Sequence, residues 1–490
     1  MKFDVFCGPS YRSQAITADA ERCMNWYPEI MESPGAKSKV TLYPTPGINP
    51  VVTLPDFPVR GMFNEHTYSG GGGTEYIWVV SGSTIYAINI TGTYGVQGLV
   101  TTSTQPAQFA SSGATGGQLM ILSGGTASII DLVTTGTVAG TVSLSAQTCG
   151  YLSNRFLALD SATGTLKMSD ILDGLTWSAG NFVKRSAAGD PWQAMAVAHG
   201  QIWLFGAKTG EVWYDAGLSP QPFQMVPNSL FQSGIAAIYS VAEVANSLMW
   251  LGANANGNAI VWREQGYVPQ RVSTHPVELA IQGYSTISDA VAYAYQDQGH
   301  SFYVLNFPAA GHTWVYDETT GLWHERGYWN SNTMAYESLR YHTSAFAFGN
   351  YGGLGGHFVG DRITGNIYQI GPLAQADVNI TTGPRRERIS PVISDENKTL
   401  FHSQLVVDLQ PGLQGFNVAD PQAMLQWSDD SGQTWSNEHW ASAGPVGQYA
   451  KRIVWRRLGR SRNRVYKLVA DDAYPWRIVN AYVEAEEGTS

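Results

Sequence analysis

Close to the C-terminus, Lys451–Lys467 reads KRIVWRRLGRSRNRVYK, with eight lysines and arginines and no acid in 17 residues. Cationic groups at this density have three uses. They contact nucleic-acid phosphates, here with Trp455 and Tyr466 beside them for stacking. They dock on an acidic protein surface, where Arg456, Arg457 and Arg460 can form bidentate pairs with carboxylates. Or they are the solvated face of a strand, because the arginines alternate with Ile453, Trp455 and Leu458. The chain as a whole is acidic, with a net charge of −10, which argues against a general nucleic-acid binder. Protein contact is therefore preferred, with Lys451, Arg452, Trp455, Arg456, Arg457, Arg460, Arg462 and Arg464 as candidate contact residues.

A second motif precedes it. Ser428–Trp435 reads SDDSGQTW and fits the Asp-box pattern S-x-D-x-G-x-T-W. Ser428, Asp430, Gly432 and Trp435 predict a self-contained hairpin: the carboxylate caps turn N–H groups, the glycine gives the bend, and the tryptophan packs beneath. The box also occurs in sialidase-like propellers, where it is a folding device remote from the active site. A sialidase would need an arginine cluster, usually announced by an early R-I-P, and a tyrosine nucleophile. No R-I-P occurs. A glycan-binding or sialidase-like propeller is kept as the alternative reading.

Other chemistry is missing. There is no G-x-S-x-G, H-E-x-x-H, Walker loop or zinc spacing. The Gly70–Gly73 run lacks a following Lys-Ser/Thr and reads as a loop. His312, His324, His342 and His357 sit among aromatics and read as packing residues. No catalytic, cofactor-binding or metal-ligating set is assigned, and an enzyme is not expected.

The elements that would carry these motifs are short strands. Gly numbers 53, aromatics make up 12% and charged residues only 14%. That favours strands and tight turns over long charged helices. From about residue 60 one plan recurs: an apolar strand, a turn containing Gly, and a second apolar strand. It appears at 77–88, 119–132, 155–168, 201–214, 249–262, 301–316 and 357–370. The spacing, roughly 40–55 residues, is that of four-stranded propeller blades. The expected fold is all-β: a propeller of six or seven blades over 61–380. An extended N-terminal arm over 1–60 precedes it, broken by eight prolines from Pro9 to Pro58 and carrying Trp26 and Tyr27 as interface candidates. A polar linker is expected over 381–399, and a sandwich-like β module over 400–490. Early and late strands that meet would let the propeller close.

Charge divides with the domains. Residues 1–380 hold 16 basic and 26 acidic residues, which is the whole net charge of −10, and residues 381–490 hold 13 of each. The three cysteines, Cys7, Cys23 and Cys149, form no C-x-x-C pair, so a disulfide framework is not expected and a reducing cytoplasm fits. No signal peptide or membrane span is read from the sequence.

The opening Asp19-x-Glu21-x-Cys23-Met24-Asn25-Trp26-Tyr27-Pro28-Glu29, followed by Thr45-Pro46-Gly47, resembles the start of the packaged-DNA stabilisation proteins of short-tailed phages. Lys451–Arg462 is similar to the same family's basic C-terminal signature. The resemblance implies a homohexameric tail hub or nozzle in the virion, below the portal and its adaptor. It implies docking surfaces for tailspikes or fibres and for a needle or plug, and double-stranded DNA passing through the lumen. DNA must slide during ejection. A lumen neutralising ~6–10 phosphates would hold it, so the basic segment is expected to meet protein and the channel wall to be neutral or acidic.

Overall fold

In a computed structural model of the protein, residues 6–488 are described, apart from 69–72, 90, 186–187, 220, 255–256, 348–354, 372–376, 378–382, 397 and 417. Most of the Gly70–Gly73 run thus lies outside the described residues.

Seven sheets form the blades of a propeller, at 59–99, 108–146, 148–184, 192–225, 234–271, 291–326 and 341–371. Each of the seven hairpins read from the sequence is the second and third strand of one blade. These strands are buried on both faces because neighbouring blades cover them. In Thr74–Ser81, Ile77 and Val79 pack toward blade 7, while Trp78 and Val80 pack toward blade 2, as strand alternation requires. One apolar cluster lies between each pair of adjacent blades, and the last, between blades 7 and 1, closes the circle. The closing strand comes from the N-terminus: Gly47–Thr53 pairs with Asn366–Gly371 as the outer strand of blade 7.

Behind blade 6 lies a two-sheet sandwich. One sheet has six strands in the order Trp26–Ile30, Val40–Pro44, Ile478–Glu487, Leu400–Leu409 and Ile453–Arg456, with Arg460–Ser461 also pairing the start of Leu400–Leu409. The other is continuous with blade 6. Ala20–Met24 runs between the blade's outer strand Leu322–Arg326 and the sandwich strand Arg386–Ile389, giving eleven strands in all.

Two expected boundaries differ from this arrangement. The expected extended arm over 1–60 is built into both domains: from Tyr11 to Thr53 it supplies strands to both sandwich sheets and, as the early strand that closes the propeller, to blade 7. Of its prolines, Pro28, Pro44 and Pro50 lie in strands, at a sheet edge or a strand end, where a missing N–H costs little, and the others lie outside the strands. The stretch expected as a linker contains the strands Arg386–Ile389 and Ile393–Ser394. It looks polar because its buried charges are paired within the chain: Arg388 with Glu21 at 3.0 Å and Glu387 with Arg22 at 3.2 Å.

Candidate partner interface and the junction behind it

The basic segment divides by strand geometry. Ile453, Trp455 and Leu458 enter the sandwich core, and the Trp455 indole N–H donates to the His439 carbonyl at 2.8 Å. Ile453–Arg456 is the last strand of the six-stranded sheet, so one edge is open. At Arg457, φ is 61°, and the strand breaks there before resuming at Arg460–Ser461. The Arg457 and Leu458 amides still donate to the neighbouring Ser403 and His402 carbonyls, at 2.8 and 3.1 Å. This irregular edge presents Arg452, Arg456, Arg457, Arg460 and Arg462, all exposed. Among the described residues none of the five guanidinium groups lies within ion-pair distance of a carboxylate. Lys451 is half-buried at the start of the edge.

Arg464 differs. It is 1% exposed and grips Asp429 through two hydrogen bonds of 2.7 and 2.9 Å, and its guanidinium lies over the Trp427 ring. Its charge is used inside the chain. Trp455 and Arg464, both candidate contacts, are therefore structural in the folded chain.

Trp26 and Tyr27 are also internal, each at 0% exposure. Being consecutive in one strand they point to opposite faces. Trp26 joins the sandwich core, and its indole N–H donates to the Trp476 carbonyl at 2.8 Å. Tyr27 joins the cluster between blades 6 and 7, edge-on to Phe302. Asn25 precedes them at a φ of 56°. Its side chain donates to the Gly327 and Arg385 carbonyls at 2.9 and 2.7 Å and accepts from the Gly327 amide at 3.0 Å. Arg22 adds ion pairs to Glu325 of blade 6 and Glu387 of the sandwich, at 2.9 and 3.2 Å. Nearby, His300 lies between Asp317 and Glu29. Burial lowers its pKa, but the Asp317 hydrogen bond and the charges of Asp317 and Glu29 outweigh that and raise it overall. The N-terminal motif is thus the joint between the two domains.

The Asp-box forms the expected turn. Asp430 accepts from the amides of Gln433 and Thr434, each at 2.9 Å, and from the Ser428 and Thr434 hydroxyls, both at 2.6 Å. The Ser428 hydrogen bond leads the causes that hold this carboxyl below its usual range. The Gly432 amide donates to the Ser428 hydroxyl at 2.8 Å, with φ at 95°. Trp435 packs against this turn, with the Lys467 ammonium 4.2 Å from its ring centroid.

The propeller axis is narrow. Its cavity, about 330 Å³, is lined by the first strands of the blades through residues such as Met62, Phe109, Met195, Val197 and Tyr293, with Glu243 as the one carboxylate among the described lining residues. Of the histidines, His324 is fully buried and desolvation pushes it down to about 3. No group of three or more metal-ligating side chains occurs among the described residues.

Two family models match the chain. One, described as the β-propeller of bacteriophage P22 Gp10, covers residues 19–374. The other, the β-sandwich of the same protein, covers 385–486. No curated protein sequence matches. Among solved structures, a chain of the S. cerevisiae complex of dbp5 with nup159 and gle1 is 10% identical, with a TM-score of 0.41, over 69% of this chain and 95% of that one. The Neurospora crassa Pan2 WD40 domain is 12% identical, with a TM-score of 0.38, over 70% and 96%. An exo-β-1,3-galactanase from Phanerochaete chrysosporium is 10% identical, with a TM-score of 0.29, over 89% and 99%. At these scores the three likenesses carry no functional argument.

Proposed function

The chain belongs to the bacteriophage P22 Gp10 family, tail hub proteins that stabilise packaged DNA, and from that premise we propose how it assembles. Six copies close into a ring below the portal adaptor. The arginine edge of each sandwich docks on an acidic surface of the next subunit or of the adaptor. A closed ring needs heterologous contacts, one face meeting a different face. The single observation that carries this reading is the edge itself: five exposed guanidinium groups without a carboxylate among the described residues of their own chain, on a protein whose first 380 residues hold the whole acidic excess. Rim charges of this kind act on encounter and register.

DNA then passes between propellers rather than through one, because the first strands of all seven blades converge on one cavity at the axis. The ring encloses the lumen, and the outer blades serve as docking ground for tailspikes or fibres and for a plug or needle. The role is structural, with no hydrolase activity. Imaging of intact tails tests the ring: six-fold rotational order is expected, and any other order rejects it. Arg456→Ser, Arg457→Ser and Arg460→Ser combined should weaken tail assembly. Tails that assemble normally but leak DNA would assign the edge to DNA retention. Tails that assemble and retain DNA would leave the arginines as guards of an open strand edge.

A further inference from the structure

The six-stranded sheet of the sandwich carries its charge in two columns. Leu405, Trp455 and Val483 enter the core, so the residues that alternate with them face outward. The register sets these outward residues in rows across three strands. Glu484, Gln404 and Arg456 form one row. Glu486, Phe401 and Arg460 form the next. A basic column and an acidic column thus run at the same height, two strand spacings apart, or about 10 Å. Glu484 and Glu486 are exposed. Among the described residues neither has a basic group within ion-pair distance.

Both columns stand beside open edges. The arginines follow Ile453–Arg456, the last strand on their side. On the acidic side Val40–Pro44 meets Ile478–Glu487 only through the pair Leu42 and Ile478. Among the described residues no strand continues along residues 479–487 there. The charges around each column do not cancel it. Beyond Glu484 and Glu486 lie Glu487, Asp395 and Glu396, which share Lys398 at 3.4 to 4.0 Å. Five acids and one lysine leave this end at −4. Arg452, Arg456, Arg457, Arg460 and Arg462 give the other edge +5, and half-buried Lys451 adds to it. The acids beside that edge, Asp408 and Asp429, are taken by Lys37 and Arg464. Residues 381–490 hold 13 basic and 13 acidic residues, so the sandwich is neutral in sum and divided across one sheet.

We propose that the two columns meet between copies: the arginine edge of one sheet lies beside the Glu484 and Glu486 column of a second copy of this chain. This contact rests on the ring assembly proposed above and gives its arginines one named partner. A closed ring is built by rotation alone. About an axis along these strands, rotation carries each row sideways and leaves its height unchanged. Arg456 then meets Glu484 of the partner subunit, and Arg460 meets Glu486 of the partner subunit. Two arginine edges set against each other would repel, so the contact runs head to tail.

The test supplies full-length chains to particles that lack the hub and counts hub-bearing tails by electron microscopy. Arg456→Glu with Arg460→Glu, and separately Glu484→Lys with Glu486→Lys, should each lower the count by roughly tenfold or more, because like charges then face each other across the contact. All four changes in one chain should restore assembly. Mixing the two defective chains should restore it too, since they can alternate around a ring. Thermal unfolding of each isolated variant controls for folding. Where a reversal unfolds the chain, Arg456→Gln and Glu484→Gln replace it. Their combined loss should fall short of the product of the single losses, and a full product would overturn the contact. Acidic reversals that assemble normally while arginine reversals fail would also overturn it, and would leave the arginines facing another acidic surface. Arginine reversals that assemble normally would remove the docking role of that edge as well. Two defective reversals that neither combination nor mixing rescues would sink the pairing.

Discussion

The two stretches that carry the family resemblance sit at opposite ends of the chain and solve opposite problems. Cys23–Pro28 is wholly internal. Trp26 faces the sandwich core, Tyr27 faces the propeller core, and Asn25 bonds to both domains. Lys451–Arg462 is split along its length: Ile453, Trp455 and Leu458 are buried, while Arg452, Arg456, Arg457, Arg460 and Arg462 are exposed. The first stretch spends its side chains on joining domains. The second keeps half of them for something outside the chain. Types rich in chemistry, such as Trp, Tyr and Arg, therefore do not mark an interface by themselves; the face of the strand they occupy decides.

The contrast can be broken by substitution. Trp26→Ala should cost about 3–5 kcal/mol, the range for removing a buried aromatic, read from denaturant unfolding. Loss on that scale should separate the unfolding of propeller and sandwich, because the residue sits at their joint. Arg22→Ala should cost less, on the order of 2–3 kcal/mol. It leaves Glu325 and Glu387 without their shared partner, but the site is partly wet, which keeps it below the usual loss for a fully buried pair. A stability change under about 0.5 kcal/mol for either would place the joint elsewhere.

A smaller effect depends on pH. The folded pKa of His300 is raised by Asp317 and Glu29 in spite of burial. Protonation is therefore favoured in the folded state. Its contribution is fully present below the unfolded value, about 6.5, and is lost as pH rises through the folded value. Unfolding free energy should fall over that window in the wild type, and His300→Asn should flatten the slope. Equal slopes would remove His300 from the account. Smallest on stability is the combined Arg456→Ser, Arg457→Ser and Arg460→Ser change. The isolated chain should unfold within about 0.5 kcal/mol of wild type while tail assembly suffers, the reverse of Trp26→Ala.

Much of the propeller was legible because its hairpins are local. Every hairpin counted in the sequence is the middle of a blade, since apolar strands flanking a Gly turn need no distant partner to be recognised. A second repeat went unread: Asp160, Asp317 and Asp361 each begin an Asp-x-x-Thr-Gly turn and cap its amides. The N-terminal strands were not legible, because their partners lie hundreds of residues away. Ala20–Met24 pairs with Arg386–Ile389, and its charged positions look solvent-facing until Arg388, Glu387 and Glu325 are set beside them. The same blindness made Trp26, Tyr27, Trp455 and Arg464 look like contact residues. Arg452 and Arg456 are legible as outward-facing because Ile453 and Trp455 between them enter the core, an alternation local to one strand.

The central claim is that the C-terminal edge, and not the N-terminal motif, faces the rest of the tail. Electron cryo-microscopy of intact tails at side-chain resolution tests it most directly. The account predicts carboxylates of a neighbouring subunit or of the adaptor within ion-pair distance of Arg456, Arg457 and Arg460, with Trp26 and Tyr27 enclosed by their own chain. Arginines of that edge lining the DNA lumen, or Trp26 and Tyr27 packed against another subunit, would contradict it.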